Sequence, residues 1–138
     1  MSHPVLATGD VAPTRTFGPL TRTDFVRFAG ASGDFNLVHH DLEYARAKGM
    51  PDVISIGLLQ AAILGQYLAS WVGAANVRSL KVRFTAIVLP GDLLHLSARV
   101  ESVHGAQGDQ GRTAMIRLEA LRQTGEQLVD ATARVAVA

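Results

Sequence analysis

Apolar positions follow two regimes along this chain. From residue 53 to residue 77 no charged side chain occurs and apolar residues crowd every side, whereas beyond residue 77 apolar and polar residues alternate. Alternation marks a strand with one buried face. Across residues 77–89, Leu80, Val82 and Phe84 alternate with Lys81, Arg83 and Thr85. Residues 93–103 alternate again, and residues 113–123 set Ala114, Ile116 and Leu118 against Arg117 and Glu119. Pro90-Gly91-Asp92 and Gly125-Glu126 read as turns, residues 105–111 as a glycine-rich hairpin connection, and residues 127–138 as a last strand.

The first half reads as helices separated by punctuation. Residues 14–20 have extended character, broken by Pro13 and Gly18-Pro19. Thr21 then stands as N-cap with Asp24 three residues on, ahead of Phe25, Val26, Phe28 and Ala29, which predicts a helix ending near residues 31–33. Residues 41–48 predict a short helix, acidic at Asp41, basic at Lys48 and stopped by Gly49. From Gly57, residues 58–71 predict one long apolar helix, about 24 Å if about 16 residues long, with Gly73 and Asn76 at its end. The uncharged run is long enough to raise a membrane span. Ser55, Gln60, Gln66, Tyr67, Ser70 and Asn76 interrupt it, and a helix apolar on most sides is what a globular core buries. One long helix followed by antiparallel strands predicts an α+β fold, a single domain over residues 1–138 in which the sheet wraps the helix.

Composition narrows the chemistry. The formal net charge is +1, so nothing suggests nucleic acid or an acidic membrane surface as partner, and the absence of cysteine removes disulfides and thiol nucleophiles. The first residues lack a basic region followed by an apolar run, which leaves a cytoplasmic location as the expectation. Chemistry concentrates in Gly33-Asp34-Phe35-Asn36-Leu37-Val38-His39-His40-Asp41. Asn36 and Leu37 favour turn or extended backbone over helix between Asp34 and His39, so an acid and an imidazole can converge there, as general acid–base chemistry requires. A solvated turn is the alternative, because the same residue types dominate turns. His39-His40-Asp41 are adjacent and do not easily converge on one metal ion.

The stretch from Ala29 to His39 resembles the signature of the MaoC-like, (R)-specific enoyl-CoA hydratases and dehydratases. There, small residues and Gly-Asp-x-Asn-Pro-x-His precede an apolar segment and a glycine that opens a central helix. Ile54-Ser55-Ile56-Gly57-Leu58 stands where that family has Ile-x-His-Gly-Met, and Val82-Arg83-Phe84-Thr85-Ala86-Ile87-Val88 is similar to its first long strand. The chain departs at Leu37, which replaces the proline, at Ile56, which replaces the histidine, and at Gly65, where some members carry serine.

The resemblance implies a hot-dog fold, paired with another hot-dog chain as a homodimer or heterodimer. It implies hydration of trans-2-enoyl thioesters of CoA or acyl-carrier protein, giving (3R)-hydroxyacyl products with no cofactor and no metal. Asp34 and His39 are then the catalytic pair, the Gly57 N–H binds the thioester oxygen, and Asn36 orients Asp34 or the loop. His40 points elsewhere. Arg78, Lys81 and Arg83 are on a strand, either as a solvated face or against phosphates of the handle, and His95 and His104 are surface or structural residues. Two alternatives stay open: a non-catalytic hot-dog subunit of a heteromeric dehydratase, and a hot-dog acyl thioesterase.

Overall fold

A computed structural model describes residues 2–106 and 111–138. Its elements in chain order are β1 (Arg15–Phe17), α1 (Arg22–Ser32), a 3-10 turn (Leu37–His39), α2 (Leu42–Ala47), α3 (Gly57–Val72), a second 3-10 turn (Ala74–Asn76), β2 (Val77–Phe84), β3 (Leu94–His104), β4 (Thr113–Leu121) and β5 (Gln127–Ala136). The strands form one sheet in the order β1-β3-β4-β5-β2, every pair antiparallel. This sheet with one long helix is the hot-dog architecture. Part of the connection expected over residues 105–111 lies outside the described residues.

The inner face of the sheet shows how it curls around α3. Large and small residues alternate across the strands: Leu96 pairs with Ala120, Ala98 with Leu118, Leu118 with Ala131, Ile116 with Ala133, and Ala114 with Val135. All are buried. Alanines opposite leucines and isoleucines let the sheet approach the helix without leaving a layer of voids. Register shifts at Val100/Ser102, Ala120/Leu121 and Val77/Ser79 add local bends, as bulges do.

α3 fills the concavity with Ile63, Leu64, Tyr67, Leu68 and Val72, recurring every three or four residues. Tyr67 carries a polar tip into this core and donates its hydroxyl to the Pro13 carbonyl at 3.0 Å. Burial raises its pKa above the ordinary 10.0. Among the described residues no helix is long and apolar enough to cross a membrane.

Several element ends differ from those expected: α2 is one residue shorter at each end, and β4 and β5 each stop two residues early. Each end of α3 extends one residue beyond the predicted helix. The first long strand stops at Phe84, short of residue 89, because the Thr85 and Ala86 N–H groups both turn to the Leu128 carbonyl. Residues 85–93 then form a connection held by a buried carboxylate. Asp92 accepts from the Leu89 N–H at 2.8 Å and from Arg122 Nε at 3.1 Å, while Arg122 Nη2 donates to the Ile87 carbonyl at 2.6 Å.

Candidate active site

Asp34 is delivered by the end of α1. Thr21 and Asp24 cap the start of that helix reciprocally, and Arg22 Nη2 reaches both oxygens of Asp52 at 2.9 Å. Hydrogen bonds from Thr21 hold the Asp24 carboxyl below its ordinary pKa of 3.8, and the bond from Arg22 does the same for Asp52. At the other end Gly33 takes the left-handed conformation (φ 73°) that glycine adopts without strain, and the Asp34 N–H bonds back to the Ala29 carbonyl at 3.0 Å. The chain reverses within one residue of the acid.

His39 closes the 3-10 turn that follows. The Asn36 side chain accepts from the Val38 N–H at 3.2 Å and so caps this turn, while the Asn36 N–H donates to Asp34 Oδ1 at 3.2 Å. The Asn36 side chain thus bonds the turn, and only its backbone N–H reaches Asp34. Leu37, in place of proline, leaves the turn formed; its carbonyl accepts from the His40 and Asp41 N–H groups. His40 is exposed.

The acid and the imidazole meet. His39 Nε2 lies 3.5 Å from Asp34 Oδ2, with the imidazole side chain 9% exposed and the carboxylate 42% exposed. The other ring nitrogen, Nδ1, is 2.8 Å from the Ile54 carbonyl. A carbonyl only accepts, so Nδ1 carries the hydrogen, and in the neutral ring Nε2 turns a lone pair toward Asp34. The buried imidazole is thereby fixed in tautomer and direction, while the carboxylate keeps access to solvent.

Gly57 opens α3, and no side chain caps that helix start. First-turn N–H groups lack partners within their own helix and carry a partial positive charge. A Cβ on Gly57 would lie 2.9 Å from Phe84 Cε2, so glycine is also what lets the Phe84 ring lie against the helix start. Phe84, Leu58 and Ile87 on this side, and Phe35 and Leu37 on the acid–base loop, are the exposed large apolar residues of the region. A recess of about 440 Å³ lies elsewhere, on the outer sheet face between Val11, Thr14, Ser97, Arg99 and Arg117, and neither Asp34 nor His39 lines it.

The remaining sequence candidates are placed as follows. Gly65 faces Leu80, whose Cδ2 would be 3.6 Å from an added Cβ, an ordinary contact. Arg78 donates to the Ala75 carbonyl and Arg83 pairs with Asp130. His95 bonds Thr16 and His104 bonds Ser102, both near the surface. Sequence reasoning did not anticipate the Ile54 carbonyl as the partner of His39. It is a backbone atom with no signature of its own.

Comparison with known proteins places the chain by family and fold. Residues 6–122 match the MaoC like domain family. A 78-residue stretch, 54% of this chain, is 37% identical to 3-hydroxyacyl-thioester dehydratase Y of Mycobacterium tuberculosis, of which it covers 27%. The chain spans less than a third of the length of each of three curated relatives it matches. Among solved structures, R-Hydratase PhaJ1 from Pseudomonas aeruginosa superimposes with a TM-score of 0.80 at 25% identity, over 99% of this chain and 87% of that one. The ChsH1-ChsH2 complex from Mycobacterium tuberculosis shares the fold, with a TM-score of 0.79 at 24% identity over 96% of this chain and 98% of that one.

Proposed function

The chain belongs to the MaoC like domain family, and on that premise we propose that it is a hydro-lyase acting on trans-2-enoyl thioesters of CoA or acyl-carrier protein. The observation that carries this reading is the pair of Asp34 Oδ2 and His39 Nε2 at 3.5 Å, with Nδ1 committed to the Ile54 carbonyl. Two acceptors at that separation can share one water lying to their side, each taking one of its hydrogens. As the water oxygen bonds to C3 of the enoyl group, Asp34 takes its proton and His39 steadies the nascent hydroxyl. Electrons move through the double bond to the thioester oxygen, and the uncapped start of α3 at Gly57 stabilises the negative charge that develops there. The enolate collapses as the proton, passed through the Asp34–His39 pair, reaches C2 on the same face. Water is added whole, so the (3R)-hydroxyacyl thioester forms with no change of oxidation state overall. The reverse sequence is dehydration.

Asn36 serves this chemistry by holding the loop, and CoA or the carrier protein is the handle. The exposed apolar residues around the start of α3, together with the place of β2 at the end of the sheet among the described residues, favour a second hot-dog chain as partner, identical or not. That preference also sustains a second reading, in which this chain is the non-catalytic member of a heteromeric dehydratase; similarity to the ChsH1-ChsH2 complex favours it at the level of fold.

The test is loss of enoyl absorbance on a short trans-2-enoyl-CoA, with product mass and configuration determined. A gain of one water with the thioester intact and (3R) stereochemistry is expected. Release of free CoA would instead make the protein a thioesterase. Activity of an assembled heteromer that survives Asp34→Asn would support the non-catalytic reading.

A further inference from the structure

Ser55 and Gln60 are 5% and 3% exposed, in a neighbourhood otherwise apolar: Val53, Ile56 and Leu64 are buried beside them in sequence. The Ser55 hydroxyl donates to Gln60 Oε1 at 2.8 Å. Neither side chain takes part in the chemistry above, and burying two polar groups costs free energy that an apolar pair would not incur. What distinguishes the pair is the segment it holds.

Residues 53–56 form an extended bracket. The Ile54 N–H donates to the Val38 carbonyl at 3.0 Å, and the Ser55 N–H donates to the Val88 carbonyl at 2.9 Å. The Ile54 carbonyl takes His39 Nδ1–H at 2.8 Å. The bracket is therefore tied by backbone to the acid–base loop on one side and to the connection after β2 on the other. Its third tie is Ser55 to Gln60, which lies in the first turn of α3, three residues after Gly57. One buried hydrogen bond links the acceptor that sets the imidazole tautomer to the helix start facing the developing charge.

We propose that Ser55 and Gln60 are positioning residues: they hold the Ile54 carbonyl on His39 Nδ1 and so keep the Nε2 lone pair aimed at Asp34. The catalytic consequence rests on the hydratase reading, whereas the tautomer can be measured without any substrate. Nitrogen NMR of the full chain labelled in its histidine imidazoles, in wild type, Ser55→Ala and the double variant Ser55→Ala/Gln60→Leu, separates the two. Ser55→Ala alone leaves Gln60 Oε1 buried and unpaired, so it lowers Tm. The double variant removes both polar groups and recovers Tm. In the folded double variant, neutral His39 is expected to become a mixture of Nδ1–H and Nε2–H forms, where the wild type holds Nδ1–H. On a short trans-2-enoyl-CoA its kcat falls about tenfold or more with KM within about twofold. Ser55→Thr, which keeps a hydroxyl, retains the wild-type tautomer. Retention of pure Nδ1–H in the double variant overturns the proposal, and so does a mixed tautomer with unchanged kcat. A wild-type protein with no hydratase activity defeats the reading of the reaction, and the imidazole spectra then decide the structural claim alone.

Discussion

The two ends of α3 are built in opposite ways. At its carboxyl end every device closes the helix: the Gly73 N–H returns to the Ala69 carbonyl at 2.9 Å, and the buried Asn76 amide donates to the Val72 carbonyl at 2.7 Å. At its amino end the N-cap residue is Ile56, which has no side-chain oxygen to offer, and Gly57 lets the Phe84 ring lie against the helix start. Helix starts are ordinarily capped by Ser, Thr, Asp or Asn at a gain of about 1 kcal/mol, and this chain uses such caps at α1 and α2. On the proposed mechanism, the longest helix lacks a side-chain cap at the end that receives the thioester oxygen. The closed end serves stability, and the open end is the one the proposed chemistry uses.

Substitutions that cross this division sharpen it. Gly57→Ala puts a methyl against the Phe84 ring, which is exposed enough to move aside, so stability changes by about 1 kcal/mol or less. The displaced ring and helix start lower kcat/KM about tenfold or more. Steady-state kinetics beside thermal unfolding would show whether activity and stability part company. Asn76→Ala does the reverse. It leaves the Val72 carbonyl unpaired in the core and frees His3, whose Nδ1 lies 2.7 Å from Asn76 Oδ1, at a cost of about 1–3 kcal/mol. Denaturant unfolding measures this, and kcat/KM should stay within about twofold.

Smaller effects belong to α1, which carries the acid into place. Thr21→Ala removes half of the reciprocal cap and costs about 1 kcal/mol, read as a lower Tm. The same region sets an acid limit. Asp24 and Asp52 both titrate below 3.8 in the folded chain, so each contributes stability that is present above that value and lost as pH falls through its depressed folded-state value. Both side chains are close to solvent, which keeps the contribution modest. Unfolding followed down through pH 4 should show a steeper loss of stability in wild type than in Thr21→Ala.

Much of this was legible in the residues. The charge-free run announced the central helix, and strict alternation announced β3 and β4. The loop from Asp34 to His39 was legible because its geometry is local: Gly33, Asn36 and the short spacing suffice to bring the two side chains near each other. What could not be read is what reaches the site across the chain. β2 ends at Phe84 because Thr85 and Ala86 turn toward Leu128, and nothing in residues 77–89 encodes a partner so distant. Phe84 is the neighbour that accounts for glycine at position 57, since an added Cβ would lie 2.9 Å from its ring. The Ile54 carbonyl, which fixes His39, belongs to a residue whose side chain has no part in the matter. Ser55 and Gln60 looked like interruptions of an apolar run and are bonded to each other.

The shared-water mechanism depends most directly on Asp34. Wild type and Asp34→Asn should be compared on one short trans-2-enoyl-CoA, by the initial rate of loss of enoyl absorbance, with folding of both checked by their melting curves. Asparagine preserves the shape of the side chain and its hold on the loop but cannot take a proton from water. A fall of about a hundredfold or more in kcat with Tm nearly unchanged is the result expected for loss of an acid–base group. Equal rates in the two proteins would contradict the shared-water mechanism.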